Sequence, residues 1–302
     1  MNIIMVGSNG RPSMRMLSNV MKEPCKVYMR GKFFNGGRRW FEWSNSRDDW
    51  VRIPGVGVGE MPNLAGCKVI RWGYSGEIGT RCGVSIIYQK AKAIDLISNK
   101  AKARFVMRDN GVPIPATSNN CGDLLFPVIA RPFYHHGGKD FHVCNNDEES
   151  SCFNIGHYFS ELYPKTAEYR VHCGHGKVLI VEEKPLVDGC VQANHAVTKK
   201  KWRVLRWGEY DNDVCRISLD AVRAVGADMG GVDIMTCKDH ETPVVVCEIN
   251  SAPTLADSQY SLSRYSEYFD WLFRCDTRRD WYDYCGWKHG DSFAFKHKQL
   301  EN

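Results

Sequence analysis

Two closely spaced segments in the last quarter of the chain constrain it most: Gly231-Val232-Asp233-Ile234 and Val244-Val245-Val246-Cys247-Glu248-Ile249-Asn250. Both read as strands. Period-2 alternation puts Glu248 and Asn250 on one face of the second strand, and a neighbouring strand presents Asp233 beside them. The plain alternative is an edge strand whose acidic residues face water, but Glu248 follows an unbroken apolar run, where a solvated carboxylate is awkward. Three hard oxygen donors in one place suit Mg²⁺, which takes a few protein carboxylates and completes its octahedron with water and phosphate oxygens.

The rest of the composition fits an enzyme-sized packed chain. Its 302 residues are 43% hydrophobic and 25% charged, with no low-complexity tract, which excludes a disordered adaptor. A formal net charge of +5 is mild for this length and selects no partner by itself. None of the 13 cysteines forms a C-x-x-C pair, so structural zinc is not expected. Their odd number and their place inside apolar strands suit buried, reduced thiols. No run reaches the roughly 18 apolar residues that span a bilayer, and the expected location is the cytoplasm.

Along the chain, residues 2–6 followed by Gly7-Ser8-Asn9-Gly10 and an amphipathic stretch with Met14, Leu17 and Met21 predict strand, turn and helix. Residues 31–66, rich in Gly, Trp, Arg and Pro without a period, predict loops, and 67–71 resumes as a strand. A helix capped by Ser98 runs to Asn110-Gly111, where Pro113 and Pro115 prevent its continuation. Further strands are expected at 127–131, 140–144, 156–160, 167–174, 177–185, 231–237 and 243–249, with helices at 217–226 and 260–275. Nothing repeats at a fixed period.

Taken in order, these pieces resemble the ATP-grasp superfamily: Asn99-Lys100 opening a helix, Gly111-Val112-Pro113-Ile114-Pro115, Pro127-Val128-Ile129-Ala130-Arg131 with its Gly137-Gly138 turn, Glu168-Tyr169-Arg170-Val171, Gly231-Val232-Asp233, and Glu248-Ile249-Asn250-Ser251-Ala252-Pro253. The similarity runs over residues 96–255 and is nearest to the amino-acid and peptide ligase branch. It implies an α/β and α+β protein: an N-terminal α/β lobe over 1–95, a small lobe over 96–160 with the glycine-rich loop, and a large lobe over 161–302, the last two clamping ATP. It implies a carboxylate–amine ligase that works through an acyl phosphate and releases ADP and phosphate.

The resemblance also assigns roles. Lys100 and Arg131 match the two cations that reach the nucleotide phosphates, with Arg standing at 131 where the family usually has Lys. Gly137 and Gly138 match the loop that covers the phosphates. Phe159 and Ser160 match the hinge backbone that reads adenine, and Glu161 the acid that meets the ribose. Arg170 matches the arginine that steadies the transferred phosphoryl group. Asp233, Glu248 and Asn250 match the Mg²⁺ ligands. Bland readings stand beside these: a solvated Lys100 at a helix start, a surface Glu161, a salt-bridged Arg170.

The most basic stretch, residues 198–206, leaves Lys199, Lys200 and Arg206 open as contacts to phosphate or substrate carboxylate, with Lys200 and Arg206 the catalytic candidates. Its interleaved Trp202 also admits nucleic acid as a disfavoured partner. His135, His136 and His142 suggest a metal cluster, but adjacent histidines point apart on a strand. Gly55-Val56-Gly57-Val58-Gly59 runs toward Pro62 rather than opening a helix, so it is no dinucleotide fingerprint. Arg71-Trp72-Gly73 and Ser251 are positional guesses for the acceptor, which is a small molecule or peptide. Such ligases are frequently homodimers. The rival readings are a nucleotide- or nucleic-acid-binding clamp without turnover, and phosphorylation or carboxylation without amide formation.

Overall fold

The computed structural model describes residues 3–274 except 9–11, 22–24, 33–37, 45–46, 48, 54–55, 57–59, 61, 77, 79–85, 136–139, 154, 188–190, 192–201, 207 and 256–258. Three sheets organise it. The first contains β1 (Ile3–Ser8), β2 (Cys25–Lys32), β3 (Arg38–Ser44), β4 (Asp49–Arg52), β5 (Lys68–Trp72) and β6 (Ile86–Tyr88) in the order β4-β3-β2-β1-β5-β6. Strands β1, β2, β5 and β6 are parallel, while β3 and β4 continue the sheet antiparallel. Residues 31–66 are therefore not the loop-rich segment the composition predicts. Ladder hydrogen bonds between β2, β3 and β4 are non-local, and a Gly- and Arg-rich sequence with irregular aromatics conceals them.

One face of this sheet carries α1 (Pro12–Val20). Met14 and Leu17 are fully buried there against Met5, Ile70 and Trp72, together with Tyr265 and Phe269 from the last helix. Gly7 permits the close crossing, since a Cβ there would sit 2.2 Å from Met14 Sδ. Two short helices follow, α2 (Ala91–Ser98) and α3 (Lys100–Asp109), where a single one is expected. The cap is Asn99 rather than Ser98: Asn99 Oδ1 accepts from the Lys102 N–H at 3.0 Å, while the Ser98 hydroxyl donates back to the Ile94 carbonyl at 2.8 Å.

The second sheet, β7 (Thr117–Ser118), β8 (Val128–Pro132), β9 (His142–Cys144) and β10 (His157–Glu161), is antiparallel in the order β7-β10-β8-β9, with α4 (Asp147–Ser151) between β9 and β10. The third holds β11 (Ala167–Gly174), β12 (Lys177–Lys184), β13 (Arg203–Val204), β14 (Met229–Thr236) and β15 (Val244–Asn250) in the antiparallel order β13-β12-β11-β14-β15. Helix α5 (Asn212–Ala224) packs Val214, Ile217, Ala221 and Val222 on one face of this sheet, against Val171, Val181, Val232, Ile234 and Val246. Helix α6 (Gln259–Arg274) is the last of the described elements. Among the described residues no helix is long and apolar enough to cross a membrane.

The pairing of β14 with β15 shifts register between Asp233 and Ile234. Asp233 faces Glu248, but Ile234 faces Val246, which leaves Cys247 as the extra residue of a bulge. Val244 and Val246 enter the α5 core before the bulge, and Ile249 enters it after. Without Cys247, strict alternation would drive Glu248 and Asn250 into that core. A buried arginine of α3 holds the bulge: Arg104 Nε donates to the Cys247 carbonyl at 2.9 Å, and Arg104 Nη1 donates to Thr117 Oγ1 of β7 at 3.2 Å. The same side chain thus connects the second sheet to the third.

Replacing Asn99 by Ala removes the acceptor for the α3 N-terminus. It is expected to lower stability by about 1 kcal/mol in urea unfolding, with an unchanged m-value.

Candidate active site

The face of the third sheet opposite α5 is lined with charge. Register pairing lays Glu182 of β12, Arg170 of β11, Asp233 of β14 and Glu248 of β15 in one row across four strands. In the adjacent row Lys184 faces Glu168. Arg170 grips Asp233 in a bidentate pair, Nε to Oδ1 at 2.7 Å and Nη2 to Oδ2 at 2.8 Å. Lys184 Nζ bridges two carboxylates, 2.7 Å from Asp233 Oδ2 and 2.8 Å from Glu168 Oε1, and Lys165 pairs with Glu168 from the other side. All these groups are largely buried, so the carboxylates depend on their partners to stay ionised.

Burial alone would raise the Asp233 and Glu168 carboxyls. Arg170 and Lys184 overcome it at Asp233, Lys184 and Lys165 at Glu168, and both carboxyls lie below the usual range. Burial works against Arg170 and Lys184 as well, yet Asp233 holds both above their ordinary values. Over this knot lies the indole of Trp202, 4.6 Å from the Arg170 guanidinium carbon and 5.3 Å from Lys184 Nζ.

At the end of β15, Asn250 Nδ2 donates to Glu248 Oε1 at 3.0 Å. Lys100, at the start of α3, donates from Nζ to the Ile249 carbonyl at 2.6 Å and to Asn250 Oδ1 at 3.2 Å, and stands 4.0 Å from Glu248 Oε2. Burial depresses the Lys100 ammonium, partly offset by Glu248 and Asp233. Glu248 is held well below the carboxylate range, because Lys100 and Arg131 outweigh its desolvation. Its half-buried carboxylate is held as an anion by the neighbouring cations.

Arg131 projects from β8 in the second sheet, and its Nη2 lies 2.9 Å from His135 Nδ1. A guanidinium only donates, so Nδ1 accepts and the His135 proton sits on Nε2, 3.4 Å from the Tyr158 hydroxyl. Burial and the Arg131 charge push His135 down to about 3, which keeps it neutral. The Nε atom of Arg131 and the indole N–H of Trp202 are buried with no hydrogen-bond partner among the described residues. Cations from two sheets and one helix start thus surround a strip of ionised carboxylates.

The sequence-derived candidates fall into groups. Lys100, Arg170, Asp233, Glu248 and Asn250 are brought together, and Arg131 joins them through its field on Glu248. Phe159 and Ser160 lie inside β10 between β7 and β8, so their backbone groups already serve the ladder. The chain leaving that sheet starts at Leu162, whose N–H donates to the Pro127 carbonyl at 3.2 Å. Glu161, the last residue of β10, stands 4.0 Å from His240 Nε2. Arg206 is exposed, its N–H donating to Glu209, and no contact joins it to the cluster among the described residues. Gly137, Gly138, Lys199 and Lys200 lie outside the described residues.

Lys184, Glu168, Arg104 and Trp202 escape the motif reading. A signal exists for Lys184: Glu182 and Lys184 sit two apart after the apolar run Val178-Leu179-Ile180-Val181, the same pattern that marks Glu248. Among the described residues no three His, Cys, Asp or Glu side chains group as a metal site. The oxygen set here is two carboxylates and the Asn250 amide.

The lowered carboxyls and the lowered imidazole make stability depend on pH with the same sign. The lowered carboxylates contribute stability above their ordinary range and lose it as pH falls through their native values. His135, neutral when folded, contributes fully above about pH 6.5 and loses it as pH falls toward about 3. The contribution of His135 to the unfolding free energy from urea titrations is expected to be flat above pH 6.5 and to decline below it by up to about 1.4 kcal/mol per pH unit. His135→Gln should flatten the portion between pH 6.5 and 5; an unaltered slope would contradict the assignment.

No protein-family model matches the chain, and no curated protein sequence matches it. Solved structures do. The VanG D-Ala:D-Ser ligase from Enterococcus faecalis superposes with a TM-score of 0.63 at 13% identity, covering 88% of this chain and 94% of that one. The ATP-grasp ligase PsnB, solved with minimal precursor, Mg and ADP, gives 0.60 at 13% identity over 90% and 98%. The D-alanine–D-alanine ligase from Coxiella burnetii gives 0.59 at 13% identity over 91% and 97%. With one partly parallel N-terminal sheet and two antiparallel sheets arranged as in these enzymes, the chain has the ATP-grasp fold.

Proposed function

We propose that the protein is an ATP-dependent carboxylate–amine ligase. The observation that carries this reading is the ionised Glu248, presented with Asn250 and Asp233 on one sheet face and surrounded by Lys100, Arg131, Arg170 and Lys184. An excess of buried cations around a few carboxylates matches a bound polyphosphate with a divalent ion. In this reading the lobes are 1–95, 96–160 and 161–302, and the nucleotide lies between the second and third.

Lys100 from α3 and Arg131 from β8 bind the phosphates from two sides. The linker beyond Leu162 would meet the adenine edge, since Phe159 and Ser160 are committed to their strand and the Leu162 N–H to Pro127. Glu248 and Asn250 would hold Mg²⁺, and the donor set fits it: hard oxygens, with Glu248 ionised at neutral pH. Bound there, the ion neutralises charge spread over the phosphate oxygens. Both Asp233 oxygens are engaged by Arg170 and Lys184, so Asp233 shares its charge with them rather than acting as a free ligand.

In the first step a substrate carboxylate oxygen attacks the γ-phosphorus, the bond to the bridging oxygen breaks, and ADP leaves. Arg170 faces the transferred group. In the second step an amine nitrogen attacks the acyl carbon, phosphate departs and the amine loses a proton. Both substrates belong to the amino-acid or peptide class by analogy with the structural relatives, some of which were solved with precursor peptides.

ADP release with Mg²⁺ and ATP, measured against pools of amino acids, peptides and small carboxylates, tests this. Substrate-dependent release is expected, accompanied by a product mass equal to two components minus water, and Glu248→Gln should reduce it about 100-fold or more. ATP binding without release from any pool would favour the clamp without turnover.

A further inference from the structure

We propose that the N-terminal lobe contains an anion site, built by Arg30 and Arg71, that receives a carboxylate or phosphate carried by the acceptor substrate. Arg30 lies near the carboxyl end of β2 and Arg71 near that of β5, and both strands run parallel to β1 between them. In register, Arg30 faces Ser8 and Arg71 faces Val6, so both arginines belong to the same edge of the sheet. They also share a face with Val6, Tyr28 and Val69, opposite to the one covered by α1.

Tyr74 joins the pair. Its hydroxyl accepts from Arg30 Nη1 at 2.9 Å, its carbonyl accepts from Arg71 Nη1 at 3.1 Å, and the Arg71 guanidinium carbon lies 5.9 Å from its ring. Trp40 backs the group, with Arg30 6.0 Å from its ring and Tyr74 edge-on at 5.4 Å. Arg71 is only 6% exposed. Burial lowers its guanidinium, opposed by Tyr74 and Asp95.

Neither guanidinium has a carboxylate within ion-pair distance among the described residues, and the Nε atoms of both are buried without a hydrogen-bond partner. Arg71 does pin the loop after β5 by donating to the Tyr74 and Gly76 carbonyls, but that uses Nη1 alone. Arg71 is buried and Arg30 half-buried, and among the described residues neither has an ion-paired counter-charge, Asp95 acting on Arg71 only through its field; a carboxylate or phosphate supplies both the charge and paired acceptors.

The location gives the site a purpose. Ligands of sheets with parallel strands bind outside the carboxyl ends of those strands. At this edge α1 begins, and Ser13 Oγ donates to the Pro253 carbonyl at 3.4 Å. Pro253 in turn packs on Gly231, where an added Cβ would sit 2.5 Å from the Pro253 ring and 3.6 Å from Arg170 Cδ. Helix α1, which begins at this same end of the sheet, thereby links the strand ends that carry the arginines to the segment that follows Glu248 and Asn250. Only the word acceptor rests on the ligase reading; anion binding stands without it.

The test uses the full chain without ATP. Thermal midpoints are followed during titration with sodium glutarate or with inorganic phosphate, at ionic strength held constant with sodium chloride. The wild type should be stabilised by at least one of the two, and Arg30→Gln should weaken that binding by about tenfold or more, whereas the exposed Arg216→Gln should not. Loss of the glutarate response identifies a carboxylate site, and loss of the phosphate response alone a phosphate site. Phosphate that also occupies the Lys100 and Arg131 region is unaffected by Arg30→Gln and subtracts out. No response to either anion, or equal responses in wild type and Arg30→Gln, overturns the proposal even if ADP release succeeds. A clear Arg30-dependent response upholds it even if no pool yields ADP.

Discussion

The bulge at Cys247 decides which way the chemistry faces. A strand that alternates strictly from Val244 would place Glu248 and Asn250 against Val232 and the apolar side of α5, where an ionised carboxylate is strongly disfavoured. One extra residue reverses the phase. The Arg104 side chain secures it by binding the Cys247 carbonyl, and because Arg104 also holds Thr117, the second sheet is tied to the same point. Presentation of the acidic strip and apposition of the two sheets that would clamp a nucleotide are therefore one structural event. A strand with a displaced phase recurs between β11 and β12, near His172 and Cys173, and keeps Glu182 and Lys184 on the charged face.

Once that face is exposed to the cleft, its charges must be balanced internally. Asp233 is shared by Arg170 and Lys184, Glu168 by Lys184 and Lys165, and Glu248 lies in the field of Lys100 and Arg131. Such a network is preorganised: the cations are positioned by strands and a helix start rather than by loops. In the proposed ligase, polyphosphate oxygens would replace carboxylates as partners for Lys100 and Arg131. Neutral His135 fits this arrangement, since an added charge beside Arg131 would repel it.

Much of this was legible before any coordinates. The order of strands and helices from Lys100 to Pro253 shows in apolar periodicity, and the clustering of Asp233, Glu248 and Asn250 follows from alternation within short segments. What escaped shares one physical cause, which is dependence on non-local pairing. The β2-β3-β4 ladder cannot be inferred from Gly-, Arg- and Trp-rich residues until the partner strand is known. Arg104 looks like an ordinary helix arginine until Cys247 is seen to need a donor. Lys184 acquires meaning only through its register with Glu168. Phe159 and Ser160 match a hinge by sequence position, but strand neighbours on both sides commit their backbone.

The central claim is that the bulge delivers Glu248 to a half-buried, cationic setting as a stored anion. A carbon-13 carboxyl NMR titration of Glu248, in the wild type and in Arg104→Met, tests it most directly. The account predicts that Glu248 titrates well below the ordinary 4.5 in the wild type and moves upward in Arg104→Met, as the bulge loses its donor and the carboxylate its setting. A wild-type value at or above 4.5, or one indifferent to Arg104, would mean that Glu248 faces solvent or apolar packing, and the account would fail.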